Sequence, residues 1–272
     1  MRIADYHIIA MSHEGNHGTY YRAHPPGRLG SADEEVVLKV LGRRATDDEF
    51  KRFANEMRLL HAVASPHLAE LLDAGSVDGD LFMAMRRYDG SLTEATSLVD
   101  DDGTQRIVGL VADAARGAHA LHEVGVAHRD IRPSNIVVDG GRGRLADLGM
   151  AEMGPGFSAT VGAGPIGSLG YMAPEVVTEG VAGRASDIWS LGCSLHAALS
   201  DRPIHGVIPT TSMLDALRHL ARTAPRIDDR LDAAVAVVLG RCLTSPADRF
   251  STAADLATAL DEIGTTISGA PT

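Results

Sequence analysis

The chain has 272 residues, is 44% hydrophobic and sets 25 basic against 36 acidic residues, for a net charge of −11. That length, with a mean hydropathy near zero, suits one or two globular domains with a sizeable core. The negative balance argues against bulk nucleic-acid or anionic-membrane binding, and no apolar run approaches the ~20 residues of a membrane helix.

The N-terminal MRIADYHIIAMSHEG lacks the apolar core and small-residue cleavage site of a signal peptide. Residues 1–45 alternate short apolar runs with Gly, Pro and charged turns, which predicts a β-meander with AHPPGRLGSADEE as a long hairpin connection. From Thr46 the period changes. Thr46 and Glu49 fit a capping box, and Phe50, Phe53, Met57 and Leu60 mark one helical face, with Glu56 at its edge. Strands return in LAELLDAGSVDGDLFMAMRRY, broken by the turn Val77-Asp78-Gly79-Asp80. Beyond Asp89 helices dominate, beginning with a long core helix that carries apolar positions 107, 110, 111, 114, 118 and 121. DIWSLGCSLHAALS, MLDALRHLAR, LDAAVAVVLGRCL and STAADLATALDEI follow, the last with Ser251 as cap, and GTTISGAPT reads as a frayed end or the start of a linker. The expected division is a β-rich half over 1–88, a helical half over 89–263 and a tail over 264–272. Such a junction is a usual place for a small-ligand cleft. Cys193 and Cys242 fall in apolar helical patterns at a spacing that makes neither a disulfide framework nor a zinc site. Buried free thiols in a reducing cytoplasm are expected.

Several stretches carry more chemistry than a core needs. GVAHRDIRPSNIVVD places His128, Arg129, Asp130, Arg132 and Asn135 between two apolar arms. A surface turn is the plain reading, since Asp, Pro, Ser and Asn all form turns, and a catalytic loop is the sharper one. Only Lys39 and Lys51 of the basic residues are lysine, and Lys39 lies inside the apolar strand EEVVLKVL. A buried lysine is costly unless paired, and Glu56 on the following helix is a suitable partner. Gly15 and Gly18 let a turn approach a phosphate, although an ordinary hairpin uses the same residues. In GRLADLGMA an apolar strand ends at Asp147, a plausible hard-cation ligand beside an Asn or else a plain turn aspartate. GSLGYMAPE and RASDIWSLG follow in order.

These pieces together resemble the eukaryotic-type (Hanks-type) serine/threonine protein kinases of bacteria, from about Tyr6 to Ile263. The Gly-rich loop, the strand lysine, HRDIRPSN as catalytic loop, DLG for DFG, and APE occur in the family's order. The resemblance implies an α+β, two-lobed kinase fold, with a small β-rich lobe holding one helix and a larger, mainly helical lobe. It implies transfer of the γ-phosphate of ATP, with magnesium or manganese, to protein hydroxyls, including the chain's own. By the same resemblance Asp130 accepts the substrate proton, and Asn135 and Asp147 hold the metal. Lys39 contacts the α/β-phosphates, fixed by Glu56, and Gly15 and Gly18 cover them. Met85 backs the adenine, the backbone from Arg86 to Tyr88 hydrogen-bonds it, and Val37 and Val137 sandwich it. Arg132 stands near the transferred phosphate. Asp187 and Arg249, the latter paired with Glu175, are supports.

Four positions depart from the family pattern. His13 replaces the first loop glycine, Tyr20 a valine and Val37 an alanine, while Arg132 stands for the usual lysine with its charge kept and its geometry changed. Leu148 in DLG is a mild apolar swap. The alternatives are a pseudokinase acting as a nucleotide-binding or scaffold module, and a kinase-fold enzyme acting on small molecules. GSLGYMAPE, which resembles the segment that seats a protein substrate, opposes the second. Expected partners are ATP, protein substrates and a second copy for trans-autophosphorylation, with no nucleic acid and no membrane segment in this chain. Ser158 and Thr160 are the expected autophosphorylation sites, in a glycine-rich segment expected to be mobile, with Ser168 structural. The expected location is the cytoplasm, with a membrane anchor outside these residues left open.

Overall fold

The computed structural model describes residues 1–15, 18–30, 33–42, 46–95, 103–153 and 166–268. Contacts divide the chain into two compact units, one of Met1–Tyr88 with Asp147–Met150, the other of Asp89–Ala146 with the chain from Ala151 onward.

In the first unit β1 (Arg2–Ile3), β2 (Tyr6–Gly15), β3 (Gly18–His24), β4 (Val36–Leu41), β5 (Leu71–Val77) and β6 (Asp80–Arg86) form an antiparallel sheet in the order β1-β2-β3-β4-β6-β5. The alternation of β4 sends Val36 and Leu38 into a core with Tyr6, Ala23, Phe82 and Ala84. Lys39, one residue on, belongs to the opposite face. Between β4 and β5 lies α1 (Asp47–Ala62), started by the expected capping box: Glu49 N donates to Thr46 Oγ1 at 3.3 Å and Thr46 N to Glu49 Oε2 at 2.7 Å. Its buried residues are Phe53, Glu56, Leu59 and Leu60, while Phe50 is 52% exposed. The buried arc is thus centred nearer Glu56 than the apolar pattern predicts, because Lys39 draws the carboxylate inward.

The second unit holds β7 (Gly90–Ser91), α2 (Leu92–Ala95), α3 (Gly103–Glu123), β8 (Val126–Ala127), β9 (Ile136–Asp139), β10 (Arg142–Leu145), β11 (Glu152–Met153) and five further helices: α4 (Pro174–Glu179), α5 (Arg184–Leu199), α6 (Met213–Arg222), α7 (Ala233–Cys242) and α8 (Ala253–Ser268). β10-β9-β7 and β11-β8 are two small antiparallel sheets. All six apolar positions anticipated on α3 are buried. Gly143 in β10 permits the approach to that helix, since a Cβ there would stand 2.2 Å from Leu110 O. Most of α5 is buried, polar Ser186, Asp187, Ser190, Ser194 and His196 included. Its Ser190 and Ser194 hydroxyls return to the carbonyls of Ser186 and Ser190 at 3.0 and 2.7 Å. Cys193 and Cys242 are buried free thiols, and burial pushes the second up to about 12.

Two sequence expectations change here. The cap of α8 is Thr252, not Ser251: Asp255 N donates to Thr252 Oγ1 at 3.1 Å and Thr252 N to Asp255 Oδ2 at 3.0 Å. The reciprocal bond needs the acid three residues after the cap, and only Thr252 has one. The helix also runs on to Ser268, into the 264–272 stretch expected to be a tail. Among the described residues no helix is long and apolar enough to cross a membrane.

Arg249 ties this unit together. Its guanidinium grips Glu175 at 2.6 and 2.9 Å, donates to Ala185 O at 2.9 Å and Thr244 O at 3.0 Å, and lies 4.9 Å from the Trp189 ring. It is 4% exposed. Arg249→Ala is therefore expected to destabilise the protein by about 2–4 kcal/mol, because half-buried Glu175 loses its cation and two carbonyls lose a buried donor. Chemical denaturation read by far-UV dichroism checks this, and a loss below about 1 kcal/mol would contradict the role.

Candidate active site

In the first unit the expected Lys39–Glu56 pair is formed. Lys39 Nζ donates to Glu56 Oε2 at 2.5 Å and to Asp147 Oδ1 at 3.3 Å, and the Lys39 and Glu56 side chains are each 1% exposed. Burial works against the lysine charge, yet Glu56 and then Asp147 outweigh it and hold the ammonium above its ordinary range. Burial lifts the Glu56 carboxyl to about 7, with Lys39 opposing and Asp147 adding to the rise. Asp147 joins this unit because the turn Leu148–Met150 packs on α1. Its φ of +63° is left-handed backbone on a non-glycine residue, which costs about 1–3 kcal/mol and clusters at functional sites.

Gly15 and Gly18 are opposite each other at the β2–β3 hairpin. Gly18 has φ +126°, and a Cβ there would sit 2.6 Å from Val40 O, so only glycine fits. His13 and Tyr20 stack with ring centroids 4.3 Å apart. Half-buried Val37 pairs with buried Met85 across β4–β6. Sequence reasoning missed how the Arg86–Tyr88 segment is pinned: Arg86 N donates to Glu70 O at 3.2 Å, and Glu70 N donates to the Tyr88 hydroxyl at 2.8 Å.

In the second unit the loop from His128 to Asn135 is held from α5. Asp187 Oδ2 accepts from His128 N at 2.8 Å and Oδ1 from Arg129 N at 2.9 Å. His122 Nε2 meets the same Oδ2 at 2.8 Å, a partner that sequence reading missed because only the α3–α5 packing brings it there. Burial opposes the Asp187 charge, but these bonds keep its carboxyl below the usual range. The clamp holds Arg129 at φ +67°. Asp130 N donates to His128 Nδ1 at 3.3 Å, so His128 Nε2 carries the proton facing Ala146 O at 3.2 Å. Asn135 Nδ2 donates to Asp130 O at 2.8 Å and Asp130 Oδ2 at 3.0 Å. Arg132 Nε lies 3.6 Å from the same Oδ2, an ion pair beyond hydrogen-bond range. Val137, half-buried in β9, pairs with Ser91 and Arg144.

The donor chemistry suits magnesium. Asp147 in the first unit and Asn135 in the second each offer a hard oxygen; Asn135 spends its amide N–H groups on Asp130, and its oxygen accepts from the Ser134 hydroxyl at 3.4 Å. Among the described residues no three His, Cys, Asp or Glu side chains gather into a cage. Magnesium is ordinarily held by one or two protein oxygens together with substrate phosphates.

A small antiparallel sheet with one helix and a buried Lys–Glu pair, and a helical unit whose HRD loop hangs from an aspartate on a buried helix, define the protein kinase fold. The sequence profile of the protein kinase domain matches residues 14–258, and the chain belongs to that family. It is 28% identical over 268 residues to serine/threonine-protein kinase PknH of Mycobacterium bovis, covering 94% of this chain and 44% of that protein. It is 30% identical over 265 residues to PknJ of Mycobacterium tuberculosis, covering 93% and 44%, and 29% identical over 277 residues to PknD of the same species, covering 96% and 40%. The chain thus spans less than half the length of these relatives.

Proposed function

We propose that this chain is a serine/threonine protein kinase that transfers the γ-phosphate of ATP to protein hydroxyls, its own included. The observation that carries the reading is the buried Lys39–Glu56 pair, with half-buried Asp147 closing on the same ammonium. Burying two ionisable groups costs stability, which a purely structural pair of strands and a helix would not require.

ATP with magnesium would supply the phosphoryl group and the cation that neutralises it. Lys39 would orient the α/β-phosphates, with Glu56 fixing the ammonium, while Gly15 and Gly18 leave room for the phosphates. Val37, Met85, Val137 and the backbone from Arg86 to Tyr88 would seat the adenine. Asp147 and Asn135 would hold the metal. Asp130, steadied by Asn135, would accept the proton of the substrate hydroxyl, and Arg132 would face the transferred phosphate. Transfer of this kind depends on positioning and charge neutralisation, which these residues supply. The reading extends to a cytoplasmic setting and to phosphorylation of one copy by another.

Incubation with γ-labelled ATP, magnesium and a generic protein substrate tests the reading, with phosphosites mapped by mass spectrometry. Label on serine and threonine supports it. Nucleotide binding without transfer would favour a scaffold, and turnover only with a small-molecule acceptor would favour a different phosphotransferase.

Ser158 and Thr160 lie outside the described residues, as does most of the segment expected to be mobile; of Ser168 only the backbone, in a short 3-10 turn, is described. The proposal for them rests on chemistry: a phosphate brings about −1.5 to −2 charges and can pair with Arg129 next to Asp130. Phosphate on Thr160, and secondarily Ser158, is expected in the active protein and absent in Asp130→Asn. The Ser158→Ala/Thr160→Ala double variant should lose most activity. Full activity there would rule out this segment as the switch.

A further inference from the structure

The pairing of three strands places His13, Tyr20 and Lys39 in one row. His13 is the direct partner of Tyr20 across β2–β3, brought opposite it by a register shift between Met11 and His13, and Tyr20 is the direct partner of Lys39 across β3–β4. Directly opposed residues share a face of a sheet. The contacts follow: the His13 and Tyr20 rings stack at 4.3 Å and 12°, and Lys39 Nζ lies 5.6 Å from the Tyr20 ring centroid. An ammonium has three donors, and two of those on Lys39 end on Glu56 and Asp147. Tyr20 covers the cation from a further side through its ring and its hydroxyl, and Lys39 is left 1% exposed.

We propose that Tyr20, backed by the exposed ring of His13, is a gate over Lys39 that nucleotide phosphates must displace, so that this aromatic pair sets the affinity for ATP. The role in affinity rests on Lys39 being the phosphate contact. The gate itself does not. A lid closed nine-tenths of the time weakens apparent binding about 10-fold. Valine at position 20, the residue usual in the family, has neither the reach nor the π face to cover the ammonium.

The composition supplies the test. Lys39 and Lys51 are the chain's two lysines, and the Lys51 side chain is 77% exposed, so it serves as an internal standard for amine labelling. Acetylation by a water-soluble N-hydroxysuccinimide ester, read by peptide mass spectrometry, is expected to be far slower at Lys39 than at Lys51. Tyr20→Val should raise the Lys39 rate about 10-fold and leave Lys51 unchanged, and Tyr20→Phe and His13→Gly should each fall between wild type and Tyr20→Val. His13→Gly also keeps the test open should Tyr20→Val fold poorly. An unchanged Lys39 rate in folded Tyr20→Val overturns the gate.

Calorimetric titration with ATP supplies the second arm. Tyr20→Val should lower the Kd about 10-fold, and adding Lys39→Met should erase the gain. A higher Kd in Tyr20→Val would make tyrosine a nucleotide contact and overturn the proposal. An unchanged Kd beside faster labelling would overturn its role in affinity. Faster Lys39 labelling with no ATP binding in any variant would uphold the gate and overturn the ATP reading.

Discussion

Asp130→Asn is expected to reduce phosphoryl transfer by ~10²–10⁴-fold while the protein stays folded. Asn is nearly isosteric with Asp, and the bonds that shape this loop mostly run through backbone. Asp187 holds the N–H groups of His128 and Arg129, and Asn135 Nδ2 holds Asp130 O. What the substitution removes is the carboxylate, and with it the acceptor for the substrate proton and the partner of Arg132. The bond from Asn135 to Asp130 Oδ2 is kept by turning the new amide so that its oxygen takes that place. Initial rates with purified variant, contaminating kinase excluded, check the chemistry, and an unchanged thermal midpoint checks the fold. A rate equal to wild type would remove Asp130 from the mechanism.

Lys39→Met should lower activity by a comparable factor for a different reason, loss of phosphate orientation and neutralisation, typically ~10²-fold or more. The substitution also strands Glu56. That carboxyl is already lifted to about 7 by burial against a tug from Lys39, so without the lysine it rises further and neutralises at ordinary pH. The sign of the stability effect follows. A carboxyl whose folded value stands above its unfolded 4.5 binds its proton more tightly when folded, so stability falls as pH rises from 4.5 through the folded value. Lys39→Met should carry this fall to higher pH than wild type, so that above about pH 7 its stability still drops where wild type has levelled. Adding Glu56→Gln should flatten it without restoring activity. Thermal midpoints at several pH values for the single and double variants read this out. Equal pH slopes in both would mean that Glu56 is not titrating where burial places it. Normal turnover by Lys39→Met would reduce the strand lysine to a structural part.

Much of this molecule is written in short-range pattern. The period-2 alternation around Lys39, the capping box at Thr46, the apolar stripe of α3 and the motif order from Gly15 to Glu175 each depend on residues close in the chain. Local backbone geometry fixes which side such residues face, so they are legible without coordinates. The tertiary structure decided matters of partnership and desolvation. The apolar stripe made Glu56 an edge residue of α1, and its burial at the centre exists because Lys39 lies across from it. Thr252 displaced Ser251 as a cap because both offer a hydroxyl, and only the acid three residues on breaks the tie. His122 has no motif of its own, and it bears on Asp130 only because α3 packs on α5 and brings it to the aspartate that carries the loop. Tyr20 and His13 read in the sequence as two separate departures from a family pattern. Strand register made them one stack against Lys39, since pairing between distant strands is set by the whole sheet and leaves no trace in the spacing of the residues it joins.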